Sequence, residues 1–143
     1  MSNLKVLIVD DEPDIRFELA DFLDELEFEC LQAANGEEGL SLFKQHQDVH
    51  IVLSDLTMPG MTGLQFLERI VRDEETKHRI RQFIFMTGNG DTRSVIDAMA
   101  LGASEFMLKP LDLDLLEDHL VKAREFVFAE RSRRLDEQAK EAK

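Results

Sequence analysis

Apolar runs of strand length alternate five times with stretches of helical period, and no other feature of this chain restricts its fold as strongly. Leu4 to Val9 is apolar and rich in branched residues, as expected of a strand buried on both faces. Pro13 suits a first helical turn, and Ile15, Leu19, Phe22 and Leu26 then fall on one helix face. Phe28 to Ala33 reads as a second, weaker strand, and Asn35 as the N-cap of a short helix with Leu40 and Phe43 inward. Val49 to Ser54 is a third strand ending at Asp55. The loop-like segment from Thr57 to Gly63 leads into a helix with Leu64, Leu67, Ile70 and Val71 inward.

A charged connector, Arg72 to Arg81, precedes a fourth strand, Phe83 to Met86, which ends at Thr87. Gly88-Asn89-Gly90 turns the chain, Asp91 can cap a helix carrying Val95, Ala98 and Met99, and Gly102 suits its end. Glu105 to Leu108 is the fifth strand and runs into Lys109-Pro110. Asp112 caps a last helix with Leu113, Leu116, Leu120 and Ala123 inward. Five strands alternating with five helices predict an α/β fold, a doubly wound parallel sheet covered on both sides.

Charge narrows the function. The chain has a formal net charge of -13, and residues 1–121 hold 25 of its 30 acidic side chains but only 10 of its 17 basic ones. Such a body lacks the basic face that nucleic-acid phosphates require. No apolar run approaches the roughly 20 residues of a membrane span. The N-terminus lacks a signal-peptide layout, so a cytoplasmic protein is expected. The single cysteine, Cys30, excludes a disulfide framework within the chain and reads as a small core residue. His46, His50, His78 and His119 are scattered without ligand spacing and read as surface or linker residues.

In an open parallel sheet, ligands bind beyond the carboxyl ends of the strands. Asp10 and Asp11 end the first strand, Asp55 the third, Thr87 the fourth and Lys109 the fifth. Taken singly, each has an ordinary explanation as a turn residue, a strand residue or an exposed lysine. Together, at one sheet edge, they describe a site. Crowded carboxylates repel, and a divalent cation relieves the repulsion; oxygen ligands with open positions suit Mg²⁺. A lysine and a threonine beside it can meet phosphoryl oxygens, and an aspartate can be the nucleophile. The chemistry suggested is magnesium-assisted phosphoryl transfer to a carboxylate.

With these residues in place, the chain resembles the receiver domain of two-component response regulators. The matching text is Val6 to Pro13, Val52 to Gly63, Phe85 to Gly88, Gly102-Ala103 and Phe106 to Pro110. The resemblance spans residues 4 to about 124 and implies a flavodoxin-like receiver fold. It implies that Asp55 is the phosphoacceptor, that Asp11 binds Mg²⁺ directly and Asp10 through water, and that the backbone carbonyl of Thr57 completes the protein ligands. Lys109 would contact the phosphoryl oxygens, Thr87 would close on them, and Phe106 would be the aromatic switch. Gly88 would leave room beside the acceptor, and the Lys109-Pro110 bond would be cis. The donor would be a sensor histidine kinase or a histidine phosphotransfer protein. The responding face would comprise the fourth helix, fifth strand and fifth helix. Thr62 departs from the aspartate common in the family, and Thr57 and Asn89 occupy variable positions that influence phosphate lifetime.

Two other readings compete. A phosphohydrolase of the haloacid-dehalogenase type also uses an aspartate nucleophile, but places its two aspartates two residues apart after the first strand, whereas Asp10 and Asp11 are adjacent. A degenerate receiver acting only as a binding module conflicts with the intact acidic pair, acceptor, threonine and lysine. The tail adds a further expectation. Residues 1–124 form the receiver and 125–143 a helical extension, since Glu125 to Lys143 contains no Pro or Gly and is rich in helix formers. Val121, Phe128, Leu135 and Ala142 recur every seven residues, which suggests a homodimer through the last helix, against the alternative of a solvated helix.

Overall fold

The computed structural model describes residues 4–88 and 92–142. It contains β1 (Lys5–Val9), α1 (Pro13–Glu25), β2 (Glu29–Ala33), α2 (Gly36–Gln45), β3 (Val49–Asp55), α3 (Gly63–Arg72), β4 (Gln82–Thr87), α4 (Thr92–Ala100), β5 (Glu105–Leu108) and α5 (Leu113–Glu141). The strands form one parallel sheet in the order β2-β1-β3-β4-β5. Every residue of β3 is buried, as a central strand covered on both faces requires. The α/β doubly wound architecture expected from the alternation is the one observed.

Alternation along the strands divides the core in two. Val6 and Ile8 of β1 face a cluster with Leu19 and Leu23 of α1 and Leu116, Leu120 and Ala123 of α5. Leu7 and Val9 face the other, with Phe43 of α2, Phe66, Leu67 and Ile70 of α3, and Ala98 of α4. The strand order reverses direction at β1, whose neighbours are β2 and β3, so the carboxyl ends of β1 and β3 flank the switch point where such sheets bind ligands.

The caps place the loops above that edge. Asn35 accepts from the Glu38 amide at 2.8 Å. Thr62 and Gln65 form a reciprocal capping box on α3. Asp112 accepts from the amides of Asp114 and Leu115. Gly102 takes a φ of 104°, a left-handed value suited to glycine after α4. The turn at 88–90 and the cap at Asp91 extend outside the described residues.

Several side chains differ from the sequence reading. His50 is buried in β3, with Nδ1 2.9 Å from the Ile80 carbonyl; it is not a surface residue, because β3 is covered on both faces. Met99 is 42% exposed rather than inward, because Ala98 takes the buried place on α4. Leu23 and Phe66 are fully buried at neighbouring helical positions. Cys30 is half-buried on the edge strand β2, packed against the α1–α5 cluster.

Contacts of α5 with the body continue past Arg124. Val127 is fully buried in the α1–α5 cluster, and the Arg134 guanidinium donates to the His78 carbonyl at 2.6 Å. Of the seven-residue series, Phe128 is 37% and Leu135 65% exposed. The connector between α3 and β4 is anchored too. Arg79 donates to the carbonyls of Phe43, His46 and Val49, and its guanidinium lies over the Phe43 ring.

Candidate functional site

The carboxyl ends of β1, β3 and β5 bring Asp10, Asp11, Asp55 and Lys109 together. A carboxylate oxygen from each of the three aspartates lies within 4.8 Å of those from the other two. The Lys109 ammonium bridges two of them, donating to Asp10 Oδ2 at 3.1 Å and to Asp55 Oδ2 at 3.0 Å. Asp10 is fully buried, Asp55 is 6% exposed, and Asp11 faces solvent. Thr87, 2% exposed, ends β4, and its carbonyl accepts from the Lys109 amide at 2.8 Å. The Lys109-Pro110 bond is cis.

Local structure explains these positions. The Thr57 amide donates to Asp55 Oδ1 at 3.1 Å, which fixes that carboxylate against the turn that follows it. Asp10 is held at four points. Its amide donates to the Ala33 carbonyl at 3.1 Å, and its carbonyl accepts from Arg16 at 2.7 Å. Its Oδ1 accepts from the Glu12 amide at 2.9 Å, and its Oδ2 takes the Lys109 contact.

Gly63, the first residue of α3, lies where a methyl group would come within 2.2 Å of the Asp55 carbonyl oxygen, so only glycine lets the helix approach β3 this closely. At Gly88 the same test meets nothing within 4 Å among the described residues. Arg16 and Gly63 were not singled out by sequence reasoning. Glycine directly after the Thr62 cap was a signal for the second; nothing local marks the first.

The electrostatics follow from one ammonium serving two buried carboxylates. Burial pushes the Asp55 carboxyl above its ordinary value, and the Lys109 and Thr57 hydrogen bonds only partly oppose that. Burial pulls Lys109 down, but its hydrogen bonds to Asp55 and Asp10 outweigh this, so its ammonium sits above the usual range. The donor set is all oxygen and leaves negative charge over, which fits a hard divalent cation such as Mg²⁺. Phe106 is 42% exposed on β5, pointing away from the core.

A doubly wound sheet with this acidic pocket and a bridging lysine defines a phosphoacceptor class of signalling domain. Residues 6–121 match the response regulator receiver domain family, and the chain belongs to it. It is 36% identical over 115 residues to a probable chemotaxis protein CheY of Rhizobium etli, covering 80% of this chain and 87% of that one. It is likewise 36% identical over 124 residues to the sporulation initiation phosphotransferase F of Bacillus subtilis, covering 85% and 94%. Among solved structures, a CheX–CheY–BeF₃–Mg complex from Borrelia burgdorferi aligns with a TM-score of 0.74 and 30% identity, over 83% of this chain and 87% of that one. The chain is therefore a CheY-like receiver, a phosphoacceptor domain of two-component signalling. Among the described residues, no helix is long and apolar enough to cross a membrane.

Proposed function

We propose that Asp55 accepts a phosphoryl group from the phosphohistidine of a sensor histidine kinase or a histidine phosphotransfer protein, in a Mg²⁺-dependent reaction in the cytoplasm. The observation that carries this is the convergence of Asp10, Asp11 and Asp55 on one point beneath the Lys109 ammonium. Asp55 attacks phosphorus as the carboxylate; a P–O bond forms, the P–N bond breaks, and the imidazole leaves. Lys109 offsets part of the burial of that carboxylate and then meets the phosphoryl oxygens. Mg²⁺, when bound, supplies positive charge against the phosphoryl oxygens. Asp11, Asp55 and the Thr57 carbonyl hold it directly, and Asp10 holds it through water.

The response then passes to the far face. Thr87 closes on the phosphoryl oxygens, and Phe106 turns inward from its exposed position. Ile96 and Met99 on α4 and Phe106 and Leu108 on β5 are exposed apolar side chains. The domain assists its own phosphorylation and dephosphorylation and does not turn over metabolites. A cleft of about 450 Å³ beside Lys109, lined by Glu12, Ile15, Glu18 and Leu19 with Leu111 and Leu113, would receive the donor protein. The outward Phe128 and Leu135 of α5 are the surface through which two copies would pair.

Incubation with acetyl phosphate and Mg²⁺ tests the acceptor. Mass spectrometry should find one phosphoryl group on Asp55 in the wild type and none in Asp55→Asn. A label that persists in the variant, on Asp10 or elsewhere, overturns the assignment.

A further inference from the structure

Asp11 is exposed and makes no hydrogen bond among the described residues, yet it is the direct metal ligand in the reading above, on which this inference rests. Its orientation depends on the peptide plane that joins it to Asp10. The carbonyl of that peptide is the Asp10 carbonyl, and Arg16 grips it at 2.7 Å from α1. The remaining contacts of Asp10 all lie on its side chain or its own amide, so none of them fixes this plane. Arg16 is half-buried, and its charge faces the acidic pocket through the carbonyl oxygen it holds.

We infer that Arg16 is a positioning residue for the metal site: by clamping the Asp10–Asp11 peptide it aims the Asp11 carboxylate at the cation. Coulomb's law and positioning predict opposite signs here. A guanidinium beside a cation site repels the cation, so electrostatics alone makes removal of Arg16 tighten Mg²⁺ binding. Loss of an orienting partner weakens metal binding, typically by about 10–100-fold. The sign of the change therefore separates a positioning role from a bystander charge.

The experiment is calorimetric titration of Mg²⁺ into the wild type, Arg16→Met, Arg16→Lys and Asp11→Asn, each checked for folding by far-ultraviolet circular dichroism. Arg16→Met should raise the Mg²⁺ dissociation constant by about tenfold. Arg16→Lys keeps one donor for the Asp10 carbonyl and should recover most of that loss. Equal or tighter binding by Arg16→Met overturns the inference while Asp11→Asn still loses the metal. Wild-type affinity in Asp11→Asn would instead overturn the ligand roles themselves. Should Arg16→Met fail to fold, Arg16→Leu, which likewise has no donor, carries the same comparison: weaker binding supports the clamp, and equal or tighter binding overturns it.

Discussion

At Asp55, burial and a shared ammonium pull in opposite directions, and burial prevails. A carboxyl whose folded pKa is raised contributes stability that is complete below its ordinary value and is lost as the pH rises through the folded value. The ionised form of Asp55 therefore opposes folding relative to its neutral form. Asp55→Asn should raise the melting temperature at pH 7 in metal-free buffer, and the gain should shrink as the pH falls through the raised folded value and be gone below the ordinary carboxyl value of 3.8. Melting curves by circular dichroism across that range decide the matter; a gain independent of pH would locate the effect elsewhere. At this scale the chemistry-bearing residues were legible because strand ends announce themselves, as Asp10-Asp11, Asp55, Thr87 and Lys109 did. Arg16 and Gly63 were not, because each matters through an atom it meets only in the folded chain: the carbonyl of Asp10 for one and that of Asp55 for the other.

Elements were legible through their period, and their faces less so. The helical spacing of Leu116, Leu120 and Ala123 located the inner face of α5, and all three are buried. The same spacing continues to Val127, which the domain boundary at Arg124 leaves outside the receiver although it is buried in the core. His50 shows the converse, since a polar residue in a covered strand can be satisfied by a carbonyl that sequence does not place beside it. This alters how the tail should be cut. A chain ending at Arg124 loses a fully buried valine, which should cost about 1.5–3 kcal/mol and show as a lower urea midpoint. A chain ending at Phe128 keeps Val127 and removes Leu135 and Ala142, the rest of the seven-residue series. Sedimentation should show a dimer for the intact chain and a monomer for residues 1–128. A monomer in both, with and without a phosphoryl mimic at Asp55, would leave the extension a solvated helix.

For the molecule as a whole, the question is how much of its stability is tied to the acidic pocket. The chain carries a net charge of -13, and three of its carboxylates converge on a site with one ammonium. A divalent cation should therefore act in two separable ways. Screening of the whole acidic surface is a general effect of ionic strength, which sodium chloride supplies equally well. Binding at Asp11 and Asp55, as proposed, would stabilise only the folded state, by about 2.7 kcal/mol at a free concentration 100 times the dissociation constant. For a chain of this size that is a rise of roughly 5–11 °C in melting temperature. Calorimetric scans in Mg²⁺ and in sodium chloride of matched ionic strength should differ by that amount in the wild type, and by little in Asp11→Ala, where a direct ligand is lost. Asp10→Ala should retain more of the Mg²⁺ response than Asp11→Ala if Asp10 acts through water as proposed, but it should melt lower in metal-free buffer because the buried Lys109 contact is gone. Identical scans in the two salts would mean that Mg²⁺ acts on the net charge alone and that the convergence of the three aspartates is not a metal site.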